Sequence, residues 1–337
     1  MSTVTQQYTL YAVLDEPFCL WENDVQAKAR TFLDGIEPGY FEYLAQQGQQ
    51  AMHDADRKKH ASTAMRIGFF HGTETLFLLI GALLQAVNAP QAFMAQCWPN
   101  QLRQLLTRIS CQEPVELLCW RNALPSWELV GRMVCQGSHK DPAQVENNAQ
   151  LFANFWARLA AEYLDETQID EHNSLKHGFR VGHGGVRVAV GPPGIVHPEE
   201  SQFTELGGSI EGTSFCRILH AGGQAKGNQS RFSRIVFVNW TPESMATALQ
   251  LISCSITNVV SMLKLYNGAR PAEVQFKRFN SDEAFTRPWK TSPKVRNFEM
   301  PADLSIGRAR AKSELIEEWH RLQSQSPEPE IGVAGGA

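Results

Sequence analysis

Residues 62–87, STAMRIGFFHGTETLFLLIGALLQAV, decide the fold more than any other stretch of the chain. The stretch predicts a helix, starting from Ser62 or Thr63, that carries apolar residues nearly all round, so it should lie at the centre of a helical bundle. Its most apolar run, 76–87, is about twelve residues long and contains Gln85. A membrane span needs about twenty apolar residues. We therefore predict a buried core helix.

Further helices are predicted on both sides of this core helix. One stretch begins at Asn23 or Asp24, which are suitable N-caps, and is interrupted near Pro38–Gly39. Prolines divide the residues after the core helix into short helices and loops, at Pro90, Pro99, Pro114 and Pro125. The bundle is therefore expected to contain both long and short helices.

Two more long helices have recognisable beginnings and ends. The first covers 141–178, with Asp141 as the cap, Pro142 at the first helical position and Gly178 as the stop. The second covers 241–268, with Thr241 as the cap and Asn267–Gly268 at its end. Both should return to the bundle.

The spacing of apolar residues changes from about 3.6 to 2 after Gly178, which indicates strands. Residues 179–191, FRVGHGGVRVAVG, predict a hairpin around the Gly-His-Gly-Gly turn. Further strands are predicted at 214–221, 233–240 and, near the C-terminus, 272–279 (AEVQFKRF), with a flexible loop at 222–230 and a short helix at 309–323. These elements predict a small antiparallel β segment.

The predicted fold class is mainly α, a helical bundle with a small antiparallel β segment inserted before the last long helix. The predicted divisions are 1–178 for the first part of the bundle, 179–240 for a β-rich insertion, 241–268 for a returning bundle helix, 269–322 for a basic C-terminal segment and 323–337 for a disordered tail.

Charge and cysteine usage limit the function classes. The net charge is 31 − 35 = −4, which argues against a chain coated by nucleic acid or membrane. The segment 264–312 is locally basic, with eleven Lys or Arg against five Asp or Glu. The seven cysteines are an odd number without a C-x-x-C pair, and the N-terminus has no apolar leader. We expect reduced thiols, a cytoplasmic location and no membrane partner.

Residues 171–185, EHNSLKHGFRVGHGG, gather the most polar chemistry in the chain. If the helix from 141 runs unbroken, His177 extends an apolar stripe formed by Phe152, Phe155, Trp156, Leu159 and Tyr163. His177 could then act as a general acid or base that Asn173 orients. Alternatively, both residues satisfy carbonyl groups at a helix end, where the helix dipole favours a cation such as Lys176.

The stretch HNSLKH, 172–177, resembles the R-N-x-x-x-H signature of HEPN domains, with Asn173 and His177 matching and His172 in place of arginine. The core helix is also similar in character to the long helix of such domains, although Ile80 or Gly81 stands where a lysine is usual. The resemblance implies a bundle of about four helices and a homodimer. It also implies either RNA or nucleotide binding without catalysis, or a metal-independent endoribonuclease of a toxin or antiviral defence system.

By this resemblance, His177 would act as the general acid or base, and Asn173 would orient it. His172 would contact the phosphate, with Lys176 or Arg180 as a substitute cation. The arginine's loss matters, because a guanidinium would stabilise a developing phosphorane charge permanently. The stretch FKRFN, 276–280, adds Lys277 and Arg278 as candidate RNA contacts, because they alternate with aromatic rings.

No cofactor or metal is expected. The histidines His177, His183, His197 and His220 lack the spacing of a zinc site, and no glycine-rich nucleotide motif opens a helix after a strand. Three functions stay open: RNA binding without catalysis, metal-independent RNA cleavage, and a protein- or small-ligand-binding module in which the motif is structural.

Overall fold

The computed structural model describes residues 8–21, 24–116, 124–138, 141–191, 203–220, 231–279, 281–306 and 312–325. Among these residues the protein is mainly helical and carries small antiparallel sheets, so the predicted class is confirmed at that level. Several predicted features lie outside the described residues: Asn23 as a cap, the loop 222–230, His197, Cys119 and the tail from 326.

The helices, in chain order, are α1 (Val25–Asp34), α2 (Gly39–Ala51), α3 (Ala55–Gln85), α4 (Pro90–Gln96), α5 (Pro99–Cys111), α6 (Trp127–Cys135), α7 (Pro142–Tyr163), α8 (Glu166–Lys176), α9 (Pro242–Tyr266), α10 (Arg287–Lys290) and α11 (Lys312–Gln325). The helices between α3 and α7, which are α4, α5 and α6, each begin at or shortly after a proline, as predicted. The cap at Thr241 and the end at Asn267 and Gly268 are also confirmed for α9.

The strands are β1 (Tyr8–Val13), β2 (Glu16–Trp21), β3 (Gly182–His183), β4 (Arg187–Val190), β5 (Thr204–Gly208), β6 (Gly212–His220), β7 (Arg231–Asn239) and β8 (Asn297–Ile306). They form an antiparallel pair β1-β2, an antiparallel pair β4-β5, and a four-stranded sheet in the order β3-β6-β7-β8 in which β3 and β6 run antiparallel. The hairpin β1-β2 was not predicted.

Helix α3 is the central helix, and α2 and α9 pack against it. It begins earlier than predicted from Ser62, because the carboxylate of Asp54 accepts hydrogen bonds from the amides of Asp56 and Arg57 at 3.0 and 3.3 Å. Both α3 and α9 are long and apolar enough to cross a membrane. The apolar windows of the two helices are, however, 72% and 89% buried within the protein, as expected of core helices.

The predicted continuous helix over 141–178 is wrong, because the chain breaks between α7 and α8. Asp165 is extended and its carboxylate accepts hydrogen bonds from the amides of Thr167 and Gln168, at 3.0 and 3.1 Å, so a second helix begins there. The five aromatic and leucine residues predicted for the stripe of α7 are buried. His177, by contrast, is exposed and does not extend that stripe.

The predicted hairpin over 179–191 is also wrong. Strand β3 pairs with β6, and β4 pairs with β5, so the two halves of this stretch have different partners. The side chain of Asn239 explains part of this arrangement: it accepts a hydrogen bond from the amide of Val186 at 2.8 Å and donates to the Val186 carbonyl at 2.9 Å. These bonds occupy the backbone groups that a tight hairpin would need.

The predicted strand over 272–279 is not a strand. Helix α9 satisfies its backbone instead: Asn258 accepts from the Lys277 amide at 2.6 Å and donates to the Lys277 carbonyl at 2.8 Å. Ser261 donates to the carbonyl of Gln275 at 2.6 Å. Because these groups are bonded to side chains, they are not available to a sheet.

The chain divides into two compact units. The first comprises Met1–Phe215 and Phe237–Phe298, and the second comprises Cys216–Val236 and Glu299–Ala337. In the second unit, Glu299 accepts hydrogen bonds from Arg217 and Arg234, both at 2.8 Å. Every candidate site described below lies in the first unit.

Candidate functional site at the end of helix α8

The last turn of α8 carries the motif residues. The amide of His177, the residue after the helix, donates to the carbonyl of Asn173 at 2.9 Å, and the amide of Arg180 donates to the carbonyl of Ser174 at 2.8 Å. Gly178 and Phe179 have positive φ values of 95° and 56°. The chain therefore folds back over the end of α8 and brings Arg180 close to the last helical turn.

Four of the predicted site residues form an exposed polar surface, which we call the α8 end: Asn173, Lys176, His177 and Arg180. Positions 173, 176 and 177 share one face of the helix because they are three and four residues apart. None of the four side chains has a hydrogen-bond or ion-pair partner within the described parts of the chain. The structure thus brings these residues together.

His172 points elsewhere. Its imidazole stacks on the ring of Phe70 from α3, with ring centroids 4.8 Å apart and an interplanar angle of 5°. Burial lowers its pKa; the carboxylate of Glu74 acts in the opposite direction, and Lys176 adds to the lowering. His172 is therefore neutral at neutral pH, and it cannot supply the permanent cation that arginine provides in the HEPN signature.

A small cavity lies beside His172. Its walls include Phe70, Arg103, Tyr163 and Asn173, and its volume is about 10 Å³. That volume holds about one water molecule. The cavity does not accommodate a nucleotide, so any RNA contact would use the exposed surface of α8.

Lys277 and Arg278 are not part of the α8 end. Lys277 lies 3.6 Å from Glu42, measured from Nζ to Oε2, and Arg278 Nη2 lies 2.5 Å from Asp282 Oδ1. Both line an open depression that shares no residue with the cavity beside His172. Lys277 and Arg278 therefore lie apart from the α8 end, and their role as RNA contacts stays a prediction.

Ion pairs engage most of the cations that the structure describes in the basic segment 264–312. Four more of its cations have acidic partners: Lys264 with Asp34, Arg270 with Glu273, Arg287 with Glu243 and Arg296 with Glu162. The local excess of positive charge in the sequence therefore does not produce a free basic face over these side chains.

Sequence reasoning missed the ion pair behind the motif. Arg66 of α3 donates from Nε to Glu171 Oε1 at 2.9 Å and from Nη2 to Oε2 at 2.5 Å, and Nη2 also donates to Gln168 at 2.5 Å. The hydroxyl of Thr213 donates to the same carboxylate. One signal was present in the sequence: Arg66 is the one lysine or arginine in the apolar stretch 62–87, and a cation in such a stretch requires a buried partner.

A second polar cluster surrounds the turn at His183. Glu211 accepts from Lys58 at 2.5 Å, and its other carboxylate oxygen lies 3.5 Å from His183 Nε2. Burial is the main cause that lowers the pKa of His183, and Glu211 opposes it. Within the described ranges, no group of three or more His, Cys, Asp or Glu side chains has the arrangement of a metal site.

Comparison with known proteins adds no relative. No protein-family model, no curated protein and no solved structure matches the chain. The resemblance to HEPN domains therefore rests on the residues of α3 and α8 alone.

Proposed function

We propose that this protein is a HEPN-like, cytoplasmic RNA-binding protein that holds RNA at the α8 end without cleaving it. One observation carries the proposal. The side chains of Asn173, Lys176, His177 and Arg180 are exposed together and lack partners in the described structure, whereas most described cations of the basic segment are ion-paired. Free lysine and arginine side chains are the groups that contact phosphate.

Phe179 adds a second element to this surface. Its side chain is 58% exposed and lies between His177 and Arg180 in the chain. Its φ of 56° is uncommon for a bulky residue, and strained backbone of this kind is concentrated at functional sites. An exposed ring next to cations is the arrangement that stacks on unpaired bases. We therefore expect single-stranded RNA rather than duplex.

Binding without cleavage is favoured because the expected cation is missing. His172 stacks on Phe70 and its pKa is lowered. Arg66, the guanidinium buried between α3 and α8, is held by Glu171. Neither group is free to take the place of the forked, permanent cation of the signature, and the cations that remain beside His177, Lys176 and Arg180, are the ones we assign to phosphate binding.

The proposal is tested by measuring RNA affinity as a function of salt. We compare Lys176→Gln/Arg180→Gln with the matched control Lys277→Gln/Arg278→Gln, which removes the same charge from ion-paired positions. Each lost phosphate contact should lower the salt slope by about 0.7 for a single strand. We expect a slope lower by about 1.4 and weaker binding in the first variant, and wild-type behaviour in the control.

Equal behaviour of the two variants, or no RNA binding by the folded wild type, would overturn the proposal and leave the motif as a structural helix end.

An RNA degradation assay in EDTA addresses catalysis. Cleavage that yields 2′,3′-cyclic phosphate ends and disappears in His177→Ala would contradict the non-catalytic assignment. The homodimer implied by the resemblance is tested by the solution mass of the same samples.

A further inference from the structure

A cavity of about 40 Å³ lies where several helices converge on the end of β7, in the first unit. Its polar wall includes Arg66, Gln168 and Trp240, and its apolar wall includes Phe69 and Phe155. It is separate from the α8 end, because Asn173, Lys176, His177 and Arg180 do not line it. An inference about this cavity therefore goes beyond the proposed RNA binding.

Two donors in this wall lack a strong acceptor. Trp240 is 2% exposed, and its buried indole N–H has no hydrogen-bond partner among the residues that the structure describes. Arg66 uses Nε and Nη2 for Glu171, while Nη1 contacts only the thioether of Met245, at 3.4 Å. Sulfur of this type is a weak acceptor. Leaving buried donors without acceptors is costly.

The acidic groups nearby are already engaged. Glu171 is paired with Arg66, and Glu162, which also lines the cavity, accepts from both Trp289 and Arg296 through Oε1 at 2.7 Å. The charges around the cavity are therefore balanced, and the buried side-chain atom of its lining that lacks a partner among the described residues is a donor, Trp240 Nε1. This arrangement selects a ligand that carries acceptor oxygens, and it disfavours a cation.

Size restricts the ligand further. A water molecule needs roughly 10–15 Å³ of such volume, so 40 Å³ accommodates about three water-sized groups. A carboxylate has three non-hydrogen atoms and accepts from an indole and a guanidinium at once.

We propose that this cavity binds the carboxylate of a small monocarboxylic acid, with oxygens accepting from Trp240 Nε1 and Arg66 Nη1. The ligand is held by hydrogen bonds and no bond is made or broken. The same donors could instead be satisfied by ordered water, and that alternative is an outcome of the test.

The test follows the indole N–H signals of the ¹⁵N-labelled full-length protein during titration with formate, a carboxylate of three non-hydrogen atoms. Formamide, of the same size without charge, and chloride at equal ionic strength are the controls. We expect a saturable shift of the Trp240 signal with formate and a much smaller one with either control. The signal of Trp127, whose N–H is bonded to Ser110 and which does not line the cavity, serves as the internal reference.

Trp240→Phe keeps an aromatic ring and removes the donor. It should weaken formate binding by about tenfold or more, since hydrogen bonds to charged groups are the stronger class. Binding followed by calorimetry that is unchanged in this variant would overturn the proposal. If the variant does not fold, the wild-type titration decides: no saturable formate shift, or an equal response to formamide, means that water fills the cavity.

Discussion

Arg66 on α3 and Glu171 on α8 form a two-point ion pair between residues 105 positions apart in the chain. The side chains of Arg66 and Glu171 are 3% and 0% exposed. The guanidinium also lies 4.5 Å from the ring centroid of Phe70. This pair joins α8 to the central helix, and it positions the helix whose far end we propose as the RNA-binding surface.

Breaking this pair should be strongly destabilising, because one buried charge would remain without its partner. We expect Arg66→Met or Glu171→Gln to lower the free energy of unfolding by about 3–5 kcal/mol, measured by urea denaturation. The double variant Arg66→Met/Glu171→Met should lose less than either single variant. Arg270→Met is the control: it breaks an exposed, solvent-screened pair with Glu273 and should change the free energy of unfolding far less. Equal losses at both sites would contradict the account.

The stability of the fold should decrease in mild acid because of His172. Burial lowers the pKa of His172 below its ordinary value of 6.5, so the folded state disfavours the proton that the unfolded chain accepts. The contribution of neutral His172 to the free energy of unfolding is therefore complete above about pH 6.5, and it is lost as the pH falls from there through the folded-state pKa. His172→Phe keeps a ring against Phe70 and removes the titrating group. This variant should therefore lose less unfolding free energy than the wild type between about pH 7 and pH 5.

The exposed Asn173, the next residue along α8, supplies the comparison for that experiment. Asn173→Ser removes no titratable group and should retain the wild-type difference in unfolding free energy between the two pH values. If His172→Phe and the wild type lose the same stability on acidification, His172 is not the group responsible.

Gln85 should hold the N-terminal hairpin to the end of α3. Its amide accepts from the backbone N–H of Leu14 at 3.1 Å and donates to the carbonyls of Leu14 and Glu116 at 2.8 and 2.9 Å. Gln85→Met would leave buried backbone groups without partners, at about 1–3 kcal/mol for each group. Thermal unfolding should show a clear decrease in midpoint.

Gln91 is the matched control, because both polar atoms of its amide are buried without a partner among the described residues. Gln91→Met should be neutral or stabilising, since it removes polar atoms that gain nothing from burial. A loss at Gln91 as large as that at Gln85 would show that amide volume, and not hydrogen bonding, decides both effects.

The predictable parts of the fold have local causes. Thr241 and Gly268 lie at the two ends of α9, and the aromatic spacing of α7 shows its buried face, so each of these features can be read from neighbouring residues. The break at Asp165 also has a local cause, because this aspartate caps the amide of the threonine two residues later. The apolar stripe nevertheless led to the prediction of one continuous helix. The strand predicted over 272–279 failed for a distant reason: Asn258 and Ser261 bind its backbone.

The candidate site was predictable only in part. Asn173, Lys176 and His177 are three and four residues apart, so their proximity follows from helical geometry. Arg180 is brought to them by the backbone of Gly178 and Phe179, which has positive φ. The partners of Arg66 and Lys277 come from other helices, Glu171 of α8 and Glu42 of α2, and no local pattern reveals them. Arg278, by contrast, pairs with Asp282 four residues along the chain. The side on which His172 lies depends on Phe70 of α3, a contact that spacing alone does not show.

The central claim is that RNA is held at the α8 end, and ultraviolet cross-linking with peptide mapping tests it most directly. A uridine-rich single strand is bound to the full-length protein, irradiated and digested, and the cross-linked peptides are identified by mass spectrometry. We predict cross-links within 173–180, centred on Phe179, that are lost in Lys176→Gln/Arg180→Gln. Cross-links confined to 276–279, or a pattern unchanged by that double substitution, would contradict the claim.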